Sequence, residues 1–299
     1  MSRFKDVASV WTTIKEVDVR DIREQAEAPC RFAIVGRVTW ARDNVARLLL
    51  SGADRFPARG QQLLDVLAIP LDRDGSAALT RADALLLVID GTQSINYDDY
   101  LAYEKLTVLP TPVLVVVYGA ATLPSYDASV PRSRWDESKI VYLPDGAIDD
   151  QQAILGKALL DVVPEDVHVA AARRYPGLRT ATTRNLINSV SLSNASFAFT
   201  SGLPEMIPLL NLPLNAADML VLTKNQAILA YRIALAMGAE GDFGAMVREM
   251  LPVVGGGFLW RQLARQMVGL IPGVGLLPKV AVSYAGTYVT GLAAQRWYG

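Results

Sequence analysis

Between residues 31 and about 145 the chain runs as a series of unbroken apolar stretches separated by mixed or polar ones. RFAIVG at 31–36 is the first, LLDVLAIP at 63–70 the second and ADALLLVID at 82–90 the third. PVLVVVY at 112–118 and a shorter KIVYL at 139–143 complete the series. Continuous Val, Ile and Leu without period-two alternation is how strands covered on both faces read. The intervening stretches 41–50 and 95–106 have helical composition, with Tyr97, Leu101, Tyr103 and Leu106 free to pack. Strands alternating with helices predict βαβ units, and so an α/β fold with a mostly parallel sheet. Residues 31–36, 82–90 and 112–118 are expected as central neighbours, with 63–70 beside them. Ligands in such sheets sit at the carboxyl ends of the strands, which here are Gly36, Asp90 and Tyr118.

Two helical regions flank this series. Phe4, Val7, Val10, Trp11, Ile14 and Val17 recur at helical spacing, which predicts an N-terminal amphipathic helix within residues 1–30. After about residue 150 the texture becomes helical throughout, dividing the chain into an α/β domain at 31–150 and an all-helical domain at 151–299. Its expected pieces are 151–163, then 178–202 with Leu186, Ile187, Val190 and Phe197 on one period. A Pro- and Leu-rich break at 203–213 precedes the most apolar helix, 216–237.

Residues 266–295 carry one charge, Lys279. Ile271-Pro-Gly-Val-Gly275 and Pro278 break that stretch into two short helices, each below the 18 to 20 residues that span a bilayer. In the second, Ser283, Thr287 and Gly291 form one row of small residues, and Gly286, Thr290 and Ala294 the next. Such rows let helices approach closely, in a membrane or in a soluble bundle, and both alternatives stay open. Arg296-Trp297-Tyr298 sets aromatics beside a cation, an interfacial pairing in a membrane or a cap on the core of a soluble bundle, and the adjoining very apolar helix 216–237 inclines the reading towards membrane contact.

Composition narrows the function classes. Half of the 299 residues are hydrophobic, a fifth are charged and the net charge is −1, so no basic field invites nucleic acid. A mean hydropathy of +0.23 is high for a soluble protein. The single cysteine, Cys30, rules out an intrachain disulfide and multi-cysteine metal sites, and is expected to be a packing residue in a reducing cytoplasm. Arg3, Lys5 and Asp6 near the start argue against a secretory signal.

The candidate chemistry centres on Gly36. Strand, glycine turn and helix are the frame of the phosphate-binding loop G-x-x-x-x-G-K-[ST]. Counting from Gly36 puts Ala41, Arg42 and Asp43 where glycine, lysine and hydroxyl should stand. Arg42 supplies charge without a lysine's point geometry. Asp43 would repel a phosphate about 4 Å away by about 4 kcal/mol per charge pair at an effective dielectric near 20. Its other role would be to complement a helix dipole from the first turn. The only histidine, His168, is expected on a solvated first turn, which leaves hydrolase triads without support. Asp98-Asp99 and Asp149-Asp150 are adjacent acids that point apart. Arg173, Arg174, Arg179 and Arg184 form the best anion-binding candidate, either a solvated helix face or a contact for anionic lipid.

In its order of elements the first half resembles the Ras-like, or Era-like, GTPase domain. Residues 82–90 are similar to the strand that follows the second switch, and 112–118 to the strand that ends in the guanine-reading N-K-x-D. That motif would fall on Tyr118-Gly119-Ala120-Ala121, which lacks both amide and carboxylate. A D-x-x-G at Asp72-Arg-Asp-Gly75 stands near the family's magnesium-linked switch, where a plain loop is the alternative. From about residue 212 onward the chain resembles the YcjF-like group of bacterial helical domains, often attached to such GTPases. LPL at 212–214, Asp218, LTKNQ at 222–226, RQL at 261–263, Gln266, LIPGVG at 270–275 and YAGT at 284–287 carry that resemblance.

Together these resemblances imply a GTPase-like domain that has lost its nucleotide chemistry. It would need no cofactor, and be joined to a helical, membrane-associated domain in a regulatory or scaffolding role. The expected partner is a membrane surface or another protein, with self-association open, and the expected place is the cytoplasm or the inner face of the membrane. The alternatives are a divergent but active GTPase that uses GTP with magnesium, and a soluble interaction module with neither role.

Overall fold

The five apolar runs form a single sheet in the computed structural model, which describes residues 17–52, 55–60, 62–71, 73–131, 135–202, 216–250 and 276–299. The strands are β1 (Arg31–Gly36), β2 (Leu63–Ala68), β3 (Ala84–Asp90), β4 (Val113–Tyr118) and β5 (Ile140–Leu143). They pair in the order β2-β1-β3-β4-β5, all parallel. The expected central trio are neighbours, and β2 lies beside β1. Every residue of β3 is buried, whereas β2 and β5, at the edges, are partly open. The chain steps from β1 out to β2 and returns past β1 to β3, which makes the heads of β1 and β3 the topological switch point.

The helices in chain order are α1 (Arg20–Glu27), α2 (Thr39–Leu50), α3 (Arg73–Leu79), α4 (Tyr97–Thr107), α5 (Ile148–Val162), α6 (His168–Arg174), α7 (Arg179–Gly202), α8 (Ala216–Ala236), α9 (Phe243–Glu249) and α10 (Leu276–Tyr298). Alternation along the strands divides the core. Val35, Leu85, Leu87, Val115 and Val117 pack with Leu79 of α3 and with Ala102, Tyr103 and Leu106 of α4. Phe32 and Ile34, one residue out of step, turn to the opposite face. There α2 and α5 pack together, and Phe32 meets Tyr175 at 4.8 Å between ring centroids.

The chain forms two compact units, and their boundary differs from the one expected at residue 150. Among the described residues, those of 25–182 form the α/β unit, and those of 183–299 with 17–24 make the helical one. The boundary falls inside α7. The physical reason is that α5 and the turns after it still serve the sheet: Leu155 and Leu159 are buried, and Tyr175 packs against Phe32 at a tilt. A Cβ on Gly177 would stand 1.8 Å from the Leu48 carbonyl oxygen, so only glycine lets this turn lie against α2. Residues 1–16, and with them most of the expected N-terminal helix, lie outside the described residues, as does the expected break at 203–213.

In the helical unit both small-residue rows of α10 are used. Asn194 Nδ2 donates to Thr287 Oγ1 at 2.9 Å, and Gln226 Nε2 donates to the same oxygen at 3.3 Å. Ser283 Oγ donates to the Asn194 carbonyl at 2.9 Å, and Asn225 Nδ2 to Asn194 Oδ1 at 2.7 Å. Asn194, Gln226, Ser283 and Thr287 are all buried, so α7, α8 and α10 share a hydrogen-bonded polar core. A Cβ on Gly291 would come within 2.6 Å of Ile187 Cγ1, a closer approach than alanine permits. Thr290 and Ala294 of the second row are buried as well.

Helix α10 begins at Leu276, so Pro278 lies in its first turn and does not break it; an absent N–H costs nothing there. The first half of the expected hairpin, 266–275, lies outside the described residues. Among the described residues no helix is long and apolar enough to cross a membrane.

Candidate functional site

The heads of β1, β3 and β4 bring Gly36, Asp90 and Tyr118 to one edge of the sheet. Two residues, Arg37 and Val38, separate β1 from α2, whose first residue is Thr39. Ala41, Arg42 and Asp43 are therefore helical, and the expected phosphate-binding loop is not a loop. A two-residue turn has too few backbone amides to wrap a phosphate chain, whichever side chains follow it.

The three aligned positions also act differently from the expectation. A Cβ on Gly36 would stand 2.6 Å from the Val88 carbonyl oxygen, so this glycine serves the close pairing of β1 with β3. Arg42 is buried, and its Nη1 donates a short hydrogen bond to the Gly36 carbonyl while Nη2 donates to Thr39 Oγ1 at 3.1 Å. That guanidinium is thus spent on the turn itself. Asp43 lies beyond the first turn of α2 and is exposed, so the expected dipole role from the first turn does not apply.

The switch point is filled by the protein's own polar groups. Asp90, buried at the end of β3, accepts from the Thr92 amide at 2.9 Å, Thr92 Oγ1 at 2.7 Å and Gln93 Nε2 at 2.6 Å. Arg37 Nη1 donates to Gln93 Oε1 at 3.3 Å, and Arg37 Nε donates to Asp99 Oδ2 at 3.4 Å. Asp99 also closes a capping box with Asn96 at the start of α4. Burial pushes the Asp99 carboxyl above its ordinary range, against the opposing pull of the Asn96 amide and the Arg37 charge. Asp98 is exposed while Asp99 is buried, so the two adjacent acids do point apart. Arg37 and Gln93 were missed by sequence reasoning, because nothing in their spacing marks them as partners.

The remaining candidates are dispersed. Asp72 lies outside the described residues, and Gly75 is inside α3, so the D-x-x-G does not end in a loop glycine. Arg173, Arg174 and Arg179 are buried, which corrects both the solvated-face and the lipid-contact expectations for these three; Arg184 alone is exposed. Arg174 Nη2 donates to the Glu27 carbonyl at 2.7 Å and Nη1 to the Ala170 carbonyl at 3.1 Å. Arg179 donates from Nη1 to the Phe56 carbonyl at 2.6 Å and from Nη2 to the Pro57 carbonyl at 2.9 Å. These charge-assisted bonds clamp the segment before β2 and the end of α1 within the α/β unit.

His168 is likewise buried, not solvated, with its Nε2 and the Val163 carbonyl oxygen 3.1 Å apart. Cys30 is fully buried and its thiol is pushed up to about 12, chiefly by desolvation, as befits a packing residue. Among the described residues no group of three or more His, Cys, Asp or Glu side chains is placed to hold a metal ion.

This edge is therefore the head of a doubly wound parallel sheet, where Arg37 bonds to Gln93 and Asp99 and Arg42 bonds to Gly36 and Thr39. No protein-family model matches the chain, no curated protein matches it and no solved structure matches it.

Proposed function

We propose that the α/β unit is a GTPase-like scaffold without nucleotide chemistry, joined to a helical unit and acting in regulation or assembly rather than catalysis. The observation that carries this reading is the start of α2: a two-residue turn whose closing carbonyl, Gly36, is already bonded by Arg42. The residues present do not fit magnesium–GTP. Lysine and hydroxyl are missing from the turn, and Tyr118-Gly119-Ala120-Ala121 offers no amide or carboxylate to a guanine edge. Purified protein with GTP or ATP and magnesium should show neither turnover above background nor binding at micromolar nucleotide. Binding in that range would sink the reading and make a divergent GTPase the better one.

A second reading, peripheral membrane contact by the helical unit, is favoured by one face of α10. Ala281, Tyr284, Ala285 and Val289 are exposed on neighbouring turns, and no charged residue occurs from 280 to 295. Flotation with anionic vesicles checks it, comparing the native chain with Tyr284→Asp and Val289→Asp. Both positions are exposed, so these changes spare the polar core. Equal recovery of all three proteins in the unbound fraction would remove the membrane.

A further inference from the structure

Strand β2 ends the sheet order, so one side of it has no strand beside it. The Ile69 amide, directly after β2, donates to the Gly36 carbonyl at 3.3 Å. In a parallel ladder the N–H and C=O of one residue point to the same side, and the side alternates along the strand. Leu63, Asp65 and Leu67 therefore face β1, whereas the main-chain groups of Leu64, Val66 and Ala68 face outward. Among the described residues none of those outward groups has a hydrogen-bond partner.

Monomeric proteins blunt an open edge with a short strand, with lysine or proline, or with a charge that an incoming strand would bury. The opposite edge, β5, is blunted in this way: it has four residues, follows Lys139 and runs into Pro144. Strand β2 has six residues, Leu63-Leu-Asp-Val-Leu-Ala68, with neither lysine nor proline among them. Its one charge, Asp65, is already paired with Arg31 of β1 at 3.0 Å. Val66, in the middle of the outward set, is 40% exposed.

We infer that β2 is an interface between two copies of this chain, joined edge to edge and antiparallel about a two-fold axis at Val66. A second copy is the occupant because the strand is complementary to itself in that register. Val66 of one copy and Val66 of the other exchange both main-chain bonds, and Leu64 and Ala68 do the same on either side of the axis. Residues directly opposite share a face, so the half-buried Leu64 meets the small, exposed Ala68, and two exposed valines meet at the axis. Asp65 then stands opposite Leu67, and no like charges face each other. An axis at Asp65 would set the two carboxylates together, which is destabilising. An axis at Leu67 or Ala68 would bring Pro70, which has no N–H, opposite an outward residue. The joint lies on the far side of β1 from β3, so it is independent of any ligand at the heads of those strands.

The test is sedimentation velocity on the full chain across the micromolar range, with amide hydrogen exchange as a second readout. The parent should sediment at twice the monomer's 32.4 kDa and dissociate on dilution. Val66→Lys sets two cations together at the axis and should weaken the dimer about tenfold or more. Val66→Pro should do likewise, since it removes an outward N–H and leaves the bonds to β1 in place. Val66→Thr should stay dimeric, and circular dichroism checks each fold. In the parent, the amides of Leu64, Val66 and Ala68 should exchange more slowly as concentration rises, while those of Asp65 and Leu67 stay protected throughout. That alternation separates strand pairing from a dimer held by another face, and it needs no variant. A monomeric parent, with or without capture of an extended peptide at this edge, would overturn the inference. So would a dimer that Val66→Lys leaves intact, or outward amides indifferent to concentration.

Discussion

Arg42 turns its guanidinium back to the carbonyl of Gly36, six residues earlier and at the end of β1. A basic residue near the place where a nucleotide hydrolase would keep its phosphate-binding lysine is here part of the turn's own hydrogen bonding. Its burial beneath the start of α2 makes it a structural residue.

Arg42→Ala should therefore destabilise the α/β unit by about 2–3 kcal/mol, since a buried carbonyl loses a charged donor and a cavity is left. Urea denaturation reads the loss. A change of under about 0.5 kcal/mol, the usual range for a surface substitution, would contradict the structural role.

Restoring the expected motif should fail. The triple variant Ala41→Gly, Arg42→Lys and Asp43→Ser places the consensus residues within α2, after a turn of two residues. No GTP affinity should appear by calorimetry, and the interior glycine should cost the helix about 1 kcal/mol. Recovery of nucleotide binding would mean that side chains, and not turn length, had been the obstacle.

The polar core of the helical unit should behave as a network. Asn194→Ala strands the donors of Asn225 and removes a partner of Thr287, and Thr287→Val removes the acceptor used by Asn194 and Gln226. Each should cost about 1–3 kcal/mol by denaturation. The double variant should cost less than their sum, because the two share one hydrogen bond. Strict additivity would show that the groups act independently.

Asp99 gives a pH dependence with a definite sign. Its carboxyl is raised above the ordinary 3.8 by burial, so the folded state holds the proton more tightly than the unfolded chain. The contribution is fully present below 3.8 and is lost as pH rises through the raised folded value. Asp99→Asn should remove that acid-range loss, seen as a flatter difference curve against the parent in melts from pH 3 to pH 7. Parallel curves would show that Asp99 titrates normally.

The sheet was legible because buried parallel strands write themselves as unbroken Val, Ile and Leu runs, and β1, β3 and β4 are buried almost throughout. The start of α2 was not legible. Val38 caps it without a side-chain hydrogen bond, and an exposed Trp40 beside a buried Arg42 disrupts the apolar period, so helical composition showed only from residue 41. Helix α5 carries no mark in its sequence that assigns it to the sheet rather than to the helices after it. The arginine clamp was hidden for a related reason. Arg179 binds carbonyls more than a hundred residues away, and a backbone acceptor leaves no trace in the sequence.

The crowding at Gly177 has an evolutionary meaning. The group that forbids a side chain there is the carbonyl of Leu48, a main-chain atom present whatever residue occupies position 48. Gly36 faces the carbonyl of Val88 in the same way. Selection can alter exposed residues such as Trp40 or Ile148 as partners change, but it cannot alter a main-chain oxygen. Distant descendants of the same ancestor would thus share these two glycines long after their surface chemistry had diverged, and such a pair could identify kin by position alone.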